Sequence, residues 1–220
     1  LKSRRYRRYW FGSMGTVGAS QLMLMAQGWL IFELSGSPMD LGVLGAAVSG
    51  PAIVVLLFGG VLADRFDRRV LLMTTSLITA VLLLVQAFLD YSGVVEVWHV
   101  LVLGCVIGIV TGFEWPVRQA LFAKLITPDQ MMSAVSLNSI LWQGSRMILP
   151  ALAGVLIAAA GTSVVFALGA LGFVGMFFTL VGMQVERQAA ATGGTGQQFA
   201  EGIRFIFTNR TLFHEICTYV

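Results

Sequence analysis

The chain has 220 residues, of which only 11% are charged and 57% are hydrophobic, with 14 Lys and Arg against 11 Asp and Glu and a formal net charge of +3. Soluble globular domains carry about 25% charged residues, so a water-soluble surface cannot be built from this composition. The same balance excludes a disordered chain and a nucleic-acid-binding domain, whose basic footprint needs a soluble face.

The charges are clumped. Phe11–Phe32, Leu41–Ala63, Val70–Leu89, Val97–Phe113 and Met147–Val185 carry none. About 20 apolar residues, rising ~1.5 Å each, cross ~30 Å of hydrocarbon. The last run approaches two bilayers in length and must fold back, with Gly161-Thr162-Ser163 as the break. None of these runs alternates apolar with polar residues as barrel strands do, so the spans are helices.

Six crossings are predicted, over 11–34, 38–62, 70–89, 97–117, 130–160 and 163–184, forming a bundle at 11–186 behind an N-terminal segment at 1–10. Ser37-Pro38-Met39-Asp40 and Thr127-Pro128-Asp129-Gln130 have the order of an N-cap, a first-turn proline and an acidic residue. Trp10, Tyr91, Trp98 and Trp115 fall near span ends, at headgroup depth. Cys105 and Cys217 read as helix-packing residues, with no disulfide framework or metal-ligand spacing. The segment 187–210 joins a flexible loop, Gln188–Gln198, to an amphipathic helix, Phe199–Phe207. Residues 211–220 read as the start of a seventh helix; with Leu1 at the other end, the expectation is a fragment cut at both ends.

Thirteen of the 14 basic residues fall at one side of this scheme: Lys2 to Arg8, Arg65, Arg68 and Arg69, Arg118 and Lys124, then Arg187, Arg204 and Arg210. The positive-inside rule then places both ends of the chain in the cytoplasm and the bundle, multi-pass, in a cell (inner) membrane. A weak internal repeat makes helices 1 and 4 the polar, glycine-rich ones; a three-plus-three inverted arrangement puts them on a cavity and sends helices 3 and 6 toward lipid.

The sharpest motif is Gly60-Val-Leu-Ala63-Asp64-Arg65-Phe-Asp67-Arg68-Arg69, on the turn between helices 2 and 3. Gly60 permits close helix approach, and Asp64, at the unfavourable end of a helix dipole, wants a cationic or N-terminal partner, with Arg68 and Arg69 in reach. As charges alone, these residues are a solvated turn. Their spacing resembles the loop 2–3 signature of the major facilitator superfamily, departing from it at Asp67, where glycine is usual. Arg8-Tyr9-Trp10, Trp29-Leu-Ile-Phe-Glu33-Leu-Ser-Gly36, Pro116-Val-Arg118-Gln119-Ala120 and Ser136-Leu-Asn138-Ser139 resemble the drug and siderophore exporter branch related to the enterobactin exporter. The resemblance runs to about Arg210. It implies an all-α integral membrane fold, this chain being the N-terminal half of a twelve-helix transporter whose C-terminal half is missing here. It also implies that Asp64 clasps that half and stabilises one access state.

Three further residues are candidates for a substrate or proton path. Arg146 is the one full charge well inside a span, where an ion is costly and either functional or snorkelling to carbonyls. Gly144 to Gly154, with Pro150, resembles a degenerate helix 5 motif of proton-coupled antiporters, with Leu149 and Ala153 in place of glycines. Glu114 stands four residues before Arg118, a favourable ion-pair spacing, or else is a desolvated proton or cation site. Gln21 either bonds a neighbouring helix or lines the substrate path. Gly104-x-x-x-Gly108-x-x-x-Gly112 is a close-packing face, and Pro150 and Gly154 are further helix-packing positions.

No catalytic, phosphate-binding or dinucleotide motif is present, and no cofactor, metal or nucleic-acid partner is expected. The expected function is proton-coupled efflux of small molecules, of the drug or siderophore class, by alternating access, with the lipid bilayer as surroundings. The rivals are a half-sized or non-transporting membrane interaction protein, and an intramembrane enzyme, for which no nucleophile–base pair is seen.

Overall fold

The computed structural model describes residues 4–63, 67–125 and 131–182, with backbone alone at 4–5, 57–63 and 123–125. Among the described residues are six helices: α1 Arg4–Ser35, α2 Pro38–Ala63, α3 Arg68–Tyr91, α4 Val97–Leu125, α5 Met131–Ala160 and α6 Thr162–Val181. Local chemistry sets several boundaries. The Ser37 hydroxyl accepts from the Met39 amide at 3.2 Å with Pro38 in the first turn, so α2 starts where its cap predicts. Gly161 breaks α5 from α6 at φ +83°, in the left-handed region that suits glycine. The expected cap at 127–130, the amphipathic helix and the seventh-helix start lie outside the described residues.

Two helices extend beyond the predicted crossings. Helix α1 begins at Arg4, so the basic stretch up to Arg8 is already helical. Helix α4 runs to Leu125 rather than 117, which makes Arg118 a helix residue and not a loop charge. The physical reason is its partner, Glu114, described below.

By length and composition α2 to α6 can each cross a membrane; α1 cannot claim this on composition. At 32 residues it is long enough, but it carries arginines at one end and Ser13, Thr16, Ser20, Gln21 and Gln27 along its length. Packing, not apolarity, places α1 among the spans. It runs antiparallel to α6, with Gly12 against Met176 and Thr179, Gly15 against Gly172, and Ala19 near Gly169 and Gly172. Ser13, Thr16 and Gln27 are thereby buried inside the bundle.

The helices alternate in direction. Tyr6 of α1 donates its hydroxyl to the Ala134 carbonyl of α5 and touches Phe122 near the end of α4, so these three termini share one end of the bundle. Arg69 at the start of α3 and Leu180 at the end of α6 lie at that end too. Helices α2 and α4 run parallel, in constant register: Gly104 meets Leu44 and Val48, Gly108 meets Val48, and Gly112 meets Ala52 and Val55. Exchanging α1–α3 for α4–α6 maps the pair α2·α4 onto α5·α1 and α1·α6 onto α4·α3, and leaves α3·α6 paired with itself. Opposite directions of α1 and α4 make this repeat inverted.

Helices α3 and α6 do not simply face lipid. Because the repeat mates them with each other, one face of each builds the core, with Leu72, Leu83, Val165, Phe166, Phe173 and Met176 buried. Their other faces, including Leu77, Val81, Phe88, Leu171 and Phe178, are exposed. The most exposed spans are α2, with 6% of its apolar window buried, and α5, with 17%.

Candidate functional site at the arginine-bearing end

Glu114 and Arg118 sit one helical turn apart on α4, and their side chains pair directly, with only 9% and 12% exposure. The i, i+4 spacing aligns them on one face, as the sequence predicts. What the sequence conceals is where that face points. An Arg118 amine also donates to the Ser13 hydroxyl of α1 at 3.4 Å, and the buried Tyr9 hydroxyl bonds with Ser13 and Arg118. Beside them lies a cavity of about 10 Å³, completed by Asn138 and Trp142 of α5 and by Trp115 and Gln119 of α4. That is room for about one water. Trp115 and Trp142 meet edge to face across the α4–α5 boundary, with centroids 5.4 Å apart. Arg118, paired with Glu114 on its own helix, thus joins α4 to Ser13 and Tyr9 of α1 in a largely buried cluster.

Gln21 stands about 12 Å further along α1 from Ser13, at ~1.5 Å per residue. It is half-buried and opens on a second cavity, of about 360 Å³, walled by Met25, Gly28 and Trp29 of α1, Leu41 of α2 and Pro150 of α5. Arg146 lies one turn before Pro150 on the same helix and is exposed, with no hydrogen-bond or ion-pair partner among the described residues. Gln21 and Arg146 therefore belong to the open side between α1 and α5, and Glu114 to the closed cluster below; the three do not converge.

Of the turn motif, Gly60 lies in the last turns of α2, while Asp64 and Arg65 lie outside the described residues. Asp67, at the glycine position of the resemblance, caps α3: its side chain accepts from the Arg69 amide at 2.9 Å. Arg69 reaches away from the turn. Its Nε donates to the Leu180 carbonyl at 2.8 Å and an Nη to the Val181 carbonyl at 3.0 Å. A cation on the last carbonyls satisfies orphan acceptors and opposes the negative end of the α6 dipole. Arg68 follows it in the first turn of α3, half-buried.

The glycine stripe of α4 lies against α2. A Cβ on Gly108 would collide with the Val48 backbone, and one on Gly112 would come within 2.8 Å of the Ala52 carbonyl oxygen. Gly154 differs from its expected packing role: a Cβ there meets nothing within 4 Å among the described residues. Its helix α5 leaves that flank uncovered.

Two polar contacts have partners that the sequence reading did not identify. Gln27 donates its amide to the Gln86 carbonyl oxygen at 3.0 Å, joining α1 to α3 in the core. Thr162, in the first turn of α6, donates to the Asp90 carboxylate at the end of α3. The only available signal was a polar residue within or bounding an apolar run.

The family model described as transmembrane secretion effector matches residues 1–216. The chain is 30% identical over 167 residues to an uncharacterized MFS-type transporter, YfiS, of Bacillus subtilis, covering 72% of this chain and 39% of that protein. It is 26% identical over 219 residues to macrolide efflux protein A of Streptococcus pyogenes, covering 95% and 53%. To the staphyloferrin A transporter of Staphylococcus aureus it is 27% identical over 135 residues, covering 59% and 33%. The chain spans about half the length, or less, of the curated relatives it matches.

Proposed function

Since the chain belongs to the transmembrane secretion effector family of the major facilitator superfamily, we propose that it is the N-terminal half of a secondary transporter that exports small molecules from the cell. The relatives named for macrolide efflux and for staphyloferrin A support a cargo of the drug or siderophore class. Export would proceed by alternating access, this bundle rocking against a C-terminal half about a site on the α1–α5 side. Both ends of the present chain would be cytoplasmic, with the membrane being the cell (inner) membrane.

The observation that carries a proton-driven cycle is the enclosed Glu114–Arg118 pair joined to Ser13 and Tyr9. In a site of low dielectric a paired carboxylate holds its guanidinium strongly. Protonating Glu114 would remove that hold within α4 and leave the Arg118 guanidinium with Ser13 and Tyr9 of α1 as its partners, so the charge state of Glu114 would set how Arg118 is shared between the two helices. Asp64, by resemblance, would clasp the other half in one access state. Gln21 and Arg146, on the open side, would face the cargo.

Efflux by the full-length protein in a sensitised host tests this reading. A macrolide should leave faster from expressing cells, and a proton uncoupler should abolish the difference. Efflux that persists with the proton gradient collapsed would overturn proton coupling. No efflux of any macrolide or siderophore by a correctly inserted protein would overturn the export reading.

A further inference from the structure

The flank of the bundle between α5 and α6 carries a groove that the transport reading does not use. Its volume is about 570 Å³, and its walls include Trp10, Gly18 and Leu22 of α1, Gly144 and Ile148 of α5, and Leu168 of α6. Small residues hollow it: a Cβ on Gly144 would meet nothing within 4 Å, and one on Gly18 only Leu149, at 3.4 Å. The groove opens outward, past exposed Phe11, Met14 and Ile140.

Three features fix what fits there. The first is length. From Trp10 to Leu22 the floor on α1 runs about 18 Å at ~1.5 Å per residue, close to one leaflet of a ~30 Å hydrocarbon core. The second is an orphan donor. Trp10 stands at the foot of the groove, and its indole Nε1 is buried with no hydrogen-bond acceptor among the described residues. An unmet N–H at membrane depth costs free energy until an acceptor arrives. The third is charge. Arg7 is exposed one turn below Trp10, and the spacing of positions 7, 14 and 18 puts it on the face of α1 that forms the floor.

We propose that this groove is a binding site for an anionic phospholipid, whose acyl chain lies along Gly18 and Gly144, whose ester carbonyl accepts from Trp10 Nε1, and whose phosphate meets Arg7. In the orientation proposed above, the lipid belongs to the cytoplasmic leaflet. A small-molecule cargo fits poorly: pockets for such ligands carry several placed polar groups, and these walls are apolar from Trp10 upward apart from Ser145.

The test is native mass spectrometry of the full-length protein in mild detergent, with phosphatidylglycerol or phosphatidylcholine added. The wild type should retain one phosphatidylglycerol about fivefold better than phosphatidylcholine, the preference expected from one arginine near an anionic headgroup. R7Q should equalise the two lipids. G144L, whose side chain would enter the groove from a position where a Cβ meets nothing within 4 Å among the described residues, should lose both. Equal retention of the two lipids by the wild type, or retention by G144L equal to wild type, overturns the proposal. Should G144L fail to assemble, dibrominated phosphatidylglycerol decides: it should quench a fluorescence component that W10F lacks, and identical quenching of both proteins would sink the site. None of these readouts involves transport, so a failed lipid site and a failed efflux reading remain distinguishable.

Discussion

Asp90, in the last turn of α3, accepts a hydrogen bond from the Thr162 hydroxyl in the first turn of α6. The N-cap of α6 is Gly161, which has no side chain to offer the free amides, so a carboxylate from another helix stands at that terminus. At its own helix end Asp90 is on the wrong side of the dipole; at α6 it is on the right one. Thr162→Val should lower the thermal stability of the full-length protein by about 1 kcal/mol, a typical loss for a capping-type contact. Asp90→Asn, which keeps an acceptor, should lose less. Thermal unfolding in detergent checks both, and a neutral Thr162→Val would refute the role.

Glu114→Gln should be the more disruptive change, because it strands Arg118 among Tyr9, Ser13 and Trp115. Removing one partner of a buried pair costs about 3–5 kcal/mol, whereas replacing both by well-packed apolar side chains can be nearly neutral. The double variant Glu114→Gln/Arg118→Met should therefore recover much of the stability lost by Glu114→Gln alone, yet remain inactive in efflux. A double-mutant cycle with no coupling would show the pair to be independent charges.

Gly108 and Gly144 make opposite predictions. Gly108→Ala pushes a methyl into the Val48 backbone and should destabilise by about 1–3 kcal/mol, the usual cost of overpacking. Gly144→Ala has open space and, by removing chain entropy from a helix, should be neutral or slightly stabilising. Melting temperatures of the two variants, measured side by side, check the ranking.

Topology is open to a direct check. Asp67 and Arg69 lie at the end of the bundle shared by the start of α1, and Asp90 and Gly161 lie at the other. Reporter fusions at Gly93 and at Arg69 should register opposite sides of the membrane, with Arg69 cytoplasmic. The same side for both would contradict the alternation of the helices.

What the sequence made legible was local. Ser37-Pro38 and Gly161 act within their own turns, the Glu114–Arg118 pair within one helix, and uncharged runs report spans directly. The glycine stripe of α4 was visible as a pattern, though not that α2 would be its partner. Arg118 was misplaced because composition ends a span at the first cation and gives no weight to a carboxylate one turn earlier that is buried with it. The polar residues of α1 were legible as unusual, but their partners were not. Ser13 to Arg118, Gln27 to Gln86 and Asp90 to Thr162 are separations of 105, 59 and 72 residues, set by how helices stack and by nothing in the neighbouring sequence.

The guanidinium of Arg69 has a mechanical consequence. It grips the final carbonyls of α6, so the end of that helix is tethered to the first turn of α3, beside the Asp67 cap. Traction on the chain beyond Val181 would be felt first at the α2–α3 corner. A displacement at the end of α6 thus has a hydrogen-bonded link to a helix some 110 positions earlier in the sequence.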